Sequence, residues 1–219
     1  FMLCCPDSVI IFFCNKLQKT ATYRRKRNAM KTNLFVLTLA IFFYSCHNKN
    51  AATIPEYAGS PLPGDSAILF APGLVNTGFY TRDLCMMPDG SEIYFSVNIG
   101  NFAFSHIVFT RFEKGQWTKP EVAPFANNPR FKYFEPFISP DGKHFFYATD
   151  EASGSKTGDF RSDIWMMEQI ENGWGKPGKL PETINSEYSE YFPTVAANEN
   201  MYFTREDPDG NFIYQSKYE

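Results

Sequence analysis

The feature that most restricts this chain is a hairpin written more than once. Pro88-Asp89-Gly90 and Pro140-Asp141-Gly142 lie 52 residues apart, each followed by an apolar strand, EIYFSV in one and HFFYAT in the other. Beyond them HIVFTRFEKGQWTKP matches DIWMMEQIENGWGKP at an offset of 57, which sets Trp117 on Trp174 and Pro120 on Pro177. The five extra residues fit within the loop EASGSKTGDFRS, where insertions are tolerated. A third copy begins at EYFPTVAANENMYFTRED, with Pro193 lying 57 beyond Pro136 and MYFT in place of FFYA. Self-similarity at such a period is the mark of a repeat architecture.

Each unit reads as short strands of period two separated by turn residues. In the second unit they are EPFIS, KHFFYAT, DIWMMEQ and a short WGKPGKL. Pro-Asp-Gly suits a tight hairpin, since Pro presets φ and Gly accepts a positive one. The second turns, EKGQ and ENGW, again put Gly where a positive φ is wanted. Helical periodicity is absent outside one apolar run near the start, so the chain is expected to be all-β. Four antiparallel strands repeating at about 50 residues describe a propeller blade. The expected units are about 77–125, 133–182 and 188–219, two and a half blades of an incomplete β-propeller spanning 67–219. Propellers close with about four to eight blades. The sequence therefore reads as C-terminally truncated, with AILFAPGLVN (67–76) as a strand that would close the ring.

The residues just cited resemble the TolB-like, WD-repeat-like propeller family, whose blades carry a Ser-Pro-Asp-Gly hairpin. Here those residues are Ser139-Pro140-Asp141-Gly142 with Phe145-Phe146-Tyr147, Asp163-Ile164-Trp165 as the third strand, and INSEYSEYFP (184–193) as the blade link. The first unit has Met87 in place of the Ser, and the third has Ala197-Asn198-Glu199 in place of Pro-Asp-Gly. The resemblance implies a fold and leaves the ligand open.

The N-terminal residues read as address. MKTNLFVLTLAIFFYSC (30–46) has a basic start, a short apolar run, a small residue and a cysteine, the layout of a secretory signal. FYSC resembles a bacterial lipobox with Cys46 as the lipidated residue. Residues 1–29 then read as upstream translation and 47–66, polar and rich in Pro and Gly, as a tether. This layout implies a lipid anchor in a Gram-negative membrane. By resemblance to lipoprotein sorting rules, HNKN after Cys46 implies an outer-membrane lipoprotein on the periplasmic side, with the cell surface as the other address.

Removing 1–46 leaves 14 of the 21 Lys and Arg and 23 of the 24 Asp and Glu, a net of −9. So acidic a domain repels phosphate backbones, and nucleic acid is excluded as a partner. Only Cys85 then remains besides the lipid cysteine, so no intrachain disulfide is expected. It reads as a plain buried thiol.

The three histidines, His47, His106 and His144, show no ligand spacing. The acids Asp150, Glu151, Asp159 and Asp163 lack a calcium-loop order. Neither a Gly-x-Ser-x-Gly elbow nor a phosphate loop occurs, so no cofactor and no metal are expected. Glu135 and Glu190, before inner strands of different blades, are the one pair a glycosidase reading could use. The residues opening the inner strands would ring a channel mouth: Arg82 and Asp83, Tyr133 and Glu135, Glu190 and Tyr191. They are the candidate ligand site for a protein, peptide or glycan partner, against the alternative of bonding adjacent blades together. Trp117, Trp174 and Asp163 read as structural repeat positions. Three functions follow: an envelope-anchored non-catalytic binding propeller, the propeller part of a hydrolase (glycosidase-type or capping a serine peptidase), or a non-functional gene fragment.

Overall fold

A computed structural model describes residues 53–151 and 160–217, within the second of two units into which the chain divides, Ala52–Glu219. The signal segment with Cys46, the first tether residues including His47, and Asp159 lie outside the described residues.

The described chain folds into three consecutive antiparallel sheets. The first holds β1 (Tyr80–Met86), β2 (Glu92–Ile99) and β3 (Phe104–Glu113), with short β4 (Gln116–Trp117) and β5 (Glu121–Val122) both pairing β3. The second repeats it with β6 (Tyr133–Ile138), β7 (His144–Thr149), β8 (Asp163–Ile170), β9 (Gly173–Trp174) and β10 (Gly178–Lys179). The third is β11 (Ser189–Val195), β12 (Asn200–Asp207) and β13 (Gly210–Lys217). The innermost strand β6 lies between β1 and β11, so the sheets stand side by side as blades of a partial propeller.

The repeated turn has one geometry. Gly90 and Gly142 sit at φ 75° and 73°, and each N–H donates to the carbonyl three residues back, Met87 and Ser139, at 2.8 Å. The Asp carboxylate caps the turn: Asp89 accepts from Ser91 N–H (2.9 Å), Asp141 from Lys143 N–H (3.1 Å). Ser139 Oγ donates to Asp141 and accepts from His144 N–H. In the first blade Met87 offers no hydroxyl, and Ser91 Oγ supplies the bond to Asp89 at 2.6 Å. In the third, Glu199 takes the left-handed position, φ 65°. Its loop is one residue shorter, Ala196 N–H reaching Asn200 O where Ser139 N–H reaches His144 O.

Alternation explains the apolar strands. On β7, Phe145 and Tyr147 face the first blade and pack with Tyr94, Ile107 and Phe109, while Phe146 faces the third and packs with Met201 and Phe203. Both faces are covered, so the strand reads as a continuous apolar run. Phe145 and Phe146 are each fully buried, contributing about 1.5–3 kcal/mol apiece.

Two expectations are corrected. No strand forms over 67–76, and 71–76 close a turn in which the N–H groups of Leu74, Val75 and Asn76 all reach Ala71 O. Pro72-Gly73, with Gly73 at φ 83°, closes that turn and breaks an extended run. Ala71 and Val75 pack on Ile93 and Phe95 of the first blade. The tether, read as unpacked, docks in part as well: Ala58 joins the same cluster, and Ser60 Oγ accepts from Ala71 N–H at 2.7 Å.

Candidate ligand-binding site

Each inner strand carries a bulge at the same repeat position. Pairing slips between Arg82 and Cys85 on β1, between Phe134 and Phe137 on β6, and between Tyr191 and Thr194 on β11. The first bulged residues, Asp83, Glu135 and Phe192, are left-handed at φ 56°, 56° and 55°. A non-glycine residue there costs about 1–2 kcal/mol. The next residue is Leu84, Pro136 or Pro193, and proline is at home at a bulge because it has no ladder N–H to lose.

These bulges are wired to one another. Glu135 N–H donates to Ser96 Oγ of the first blade at 3.0 Å. Its carboxylate accepts from Arg82 Nη2 at 2.9 Å and from Phe192 N–H of the third blade at 2.5 Å. The Arg82 Nε is 2.6 Å from Asp83, and its guanidinium lies 5.3 Å from the Phe192 ring centroid. Arg82, Asp83 and Glu135 thus come together, joined by Phe192. Burial lifts the Glu135 carboxyl to about 7; the Phe192 N–H pulls it down, the Asp83 charge pushes it up, and Arg82 again favours the ionised form. Burial also raises Asp83 against the pull of Arg82.

Tyr133 and Glu190 occupy a different place. Both are buried, at 1% and 0% exposure. The Tyr133 hydroxyl donates to Glu151 at 2.7 Å, and Glu190 binds Arg205 Nε at 2.7 Å and Ser186 N–H at 3.0 Å. By the 57-residue offset Glu190 is the counterpart of Tyr133, and that of Glu135 is Phe192, so Glu135 and Glu190 are not equivalents across blades. Tyr191 is half-buried with its ring beside Phe192.

The other repeat positions hold the blades. Ser105 Oγ donates to Tyr133 O at 3.3 Å, and its counterpart Ser162 Oγ donates to Glu190 O at 3.0 Å. Asp163 is fully buried against Lys179 Nζ (2.8 Å) and Arg161 Nη2 (3.6 Å). The Trp174 indole reaches back to Tyr94 Oη at 3.0 Å, whereas the buried Trp117 Nε1 has no partner among the described residues. Of the acids weighed for calcium, Asp150 accepts from Lys132 N–H (2.6 Å) and Glu151 from Tyr133.

Arg82 also borders a cavity of about 650 Å³ with Tyr80, Asn98, Gly100, Asn101 and Phe102. Sequence reasoning passed over these residues. The available signal was an amide, Asn98, on the blade-facing register of an apolar strand.

No protein-family model matches the chain, and no curated protein matches it. Among solved structures it is similar to a puromycin-hydrolyzing peptidase of Mycobacterium tuberculosis, at 16% identity and a TM-score of 0.44 over 64% of this chain. It is also similar to a prolyl endopeptidase, at 12% identity and a TM-score of 0.32 over 73% of this chain. The chain spans 22% and 30% of the length of those proteins.

Proposed function

We propose that this chain is a non-catalytic, TolB-like binding propeller that presents its inner-strand mouth to a peptide, protein or glycan partner. One observation carries the reading: both Glu135 oxygens are committed to neighbouring blades, so this acid serves to hold blades. Glu190 Oε1 is tied to Arg205 and Ser186, and its Oε2 is buried without a hydrogen-bond partner among the described residues. A catalytic carboxylate needs an oxygen open to substrate.

A second reading has its own support. Burial lifts Glu135 to about 7 beside Asp83, a carboxyl poised near neutrality as general acids and bases are. It would make the chain part of a hydrolase. Turnover of peptide and glycoside substrates by the purified chain separates the two. The binding reading expects none, with or without Glu135→Gln; turnover that Glu135→Gln abolishes would establish the hydrolase.

The proposed setting is the outer membrane, by a lipid on Cys46. Mass spectrometry of the protein extracted from membranes tests this: a diacylated Cys46 supports it, and an unmodified Cys46 in a soluble fraction rejects it.

A further inference from the structure

The residues lining the cavity beside Arg82 include an almost wholly buried amide, Asn98, that is unpaired among the described residues. Asn98 is 5% exposed, and neither its Oδ1 nor its Nδ2 has a hydrogen-bond partner among the described residues. Buried amides are nearly always bonded, to protein, water or ligand, so an orphaned one beside a cavity is placed to bond what enters it. Asn98 lies opposite Tyr80 on β1, on the face of β2 that Ser96 shares, the face turned to the second blade.

The cavity wall is a strained turn. Gly100, Asn101 and Phe102 are consecutive left-handed residues at φ 65°, 52° and 67°, and all three line the cavity. An aromatic residue in that conformation is an outlier, and such strain persists where the surroundings enforce it. Here they do: the Phe102 ring packs edge-on to Phe134 at 5.3 Å, and Lys132 Nζ lies 5.2 Å from its centroid. Across the cavity Tyr80 is 69% exposed.

We infer that this cavity is a binding site for a neutral saccharide, with Asn98 as its central hydrogen-bonding group. The inference rests on the binding reading above and names its ligand class. The described lining holds aromatic rings, two side-chain amides, a guanidinium and a glycine, and no aliphatic side chain. Small-molecule pockets are mostly apolar with a few placed polar groups, and this lining is richer in polar groups than that, which favours a hydroxyl-rich ligand. Sugar hydroxyls each donate and accept, and a vicinal pair matches the side-by-side donor and acceptor of an amide. The flat C–H face of a pyranose suits an exposed tyrosine ring. An anion is disfavoured, because Asp83 and Glu135 already neutralise Arg82. The volume lies within the range of small-molecule sites.

The test is titration of the full chain with cellotriose, maltotriose and triacetylchitotriose, with trigalacturonate and tetra-alanine as controls, followed by calorimetry. Asn98→Leu and Tyr80→Ala are compared with the parent. At least one neutral trisaccharide is expected to bind, and Asn98→Leu to weaken it about 10-fold, the worth of one good hydrogen bond. The melting temperature of Asn98→Leu should be unchanged or higher, since the leucine replaces an unbonded amide; a purely structural asparagine would lower it. The assignment is overturned if no neutral trisaccharide binds at millimolar concentration, or if Asn98→Leu binds as the parent does. Binding of tetra-alanine or trigalacturonate alone overturns the sugar assignment and leaves the binding reading standing. Cleavage of a bound trisaccharide leaves the site standing and ends the non-catalytic reading.

Discussion

Replacing Glu135 with glutamine should change how stability depends on pH. Glu135 is 5% exposed, and its carboxyl is lifted from the ordinary 4.5 to about 7. Between those values the folded protein holds a proton that the unfolded chain has released. Stability therefore falls as pH rises through 4.5 to 7 and is flat in this group above 7. At about 1.4 kcal/mol per pH unit the loss is about 3 kcal/mol. Glutamine cannot ionise and removes that dependence, while its amide oxygen still accepts from Phe192 N–H or Arg82. Urea unfolding of both proteins at pH 5 and pH 8 measures it. The parent should lose about 2.5 kcal/mol more than Glu135→Gln over that interval, since at pH 5 part of the step has already been passed. Comparing the two cancels Asp150, which burial also raises, and leaves the Glu135 step together with its coupling to Asp83. Equal losses, to within about 0.5 kcal/mol, would refute the buried, proton-holding carboxyl.

Other predictions follow from single contacts. Trp174→Phe removes a part-buried N–H bond to Tyr94 and should cost about 1 kcal/mol more by urea unfolding than Trp117→Phe, which removes a similar ring volume and an unbonded N–H. Asn185→Leu strips three buried backbone groups, Ile164 N–H and the Ile164 and Leu180 carbonyls, and should cost about 3 kcal/mol. Cys85 is half-buried by accessible surface and its thiol is pushed up by desolvation, so peptide mapping should find it labelled by a maleimide much more slowly in the native protein than after unfolding.

Much of the blade was readable because its turns are local chemistry. Pro-Asp-Gly fixes a hairpin from three residues, and the alternation in Phe145-Phe146-Tyr147 reports two covered faces. The inner-strand bulge was not read, although Pro136 and Pro193 inside strands announce one. A bulge shifts facing by one residue, and a one-residue slip turns side chains to the other face. Treating the strand openings as one ring therefore merged two sets. Arg82, Asp83 and Glu135 meet across blades, while Tyr133 and Glu190 turn inward. The cavity was hidden for another reason: Asn98 and Phe102 become neighbours of Arg82 only through pairing in register and a left-handed turn. The expected strand at 67–76 failed on Pro72-Gly73, a breaker outweighed in the reading by flanking apolar residues.

Hydrogen bonding by inner-strand side chains ties the blades together, with the Glu135 carboxyl as the link between Arg82 and the third blade. A double-mutant cycle of Arg82→Met and Glu135→Gln, read by urea unfolding at pH 8, tests it most directly. The structure predicts a coupling of about 1–3 kcal/mol, as for a buried, hydrogen-bonded charge pair. Additive effects, with no coupling, would contradict it.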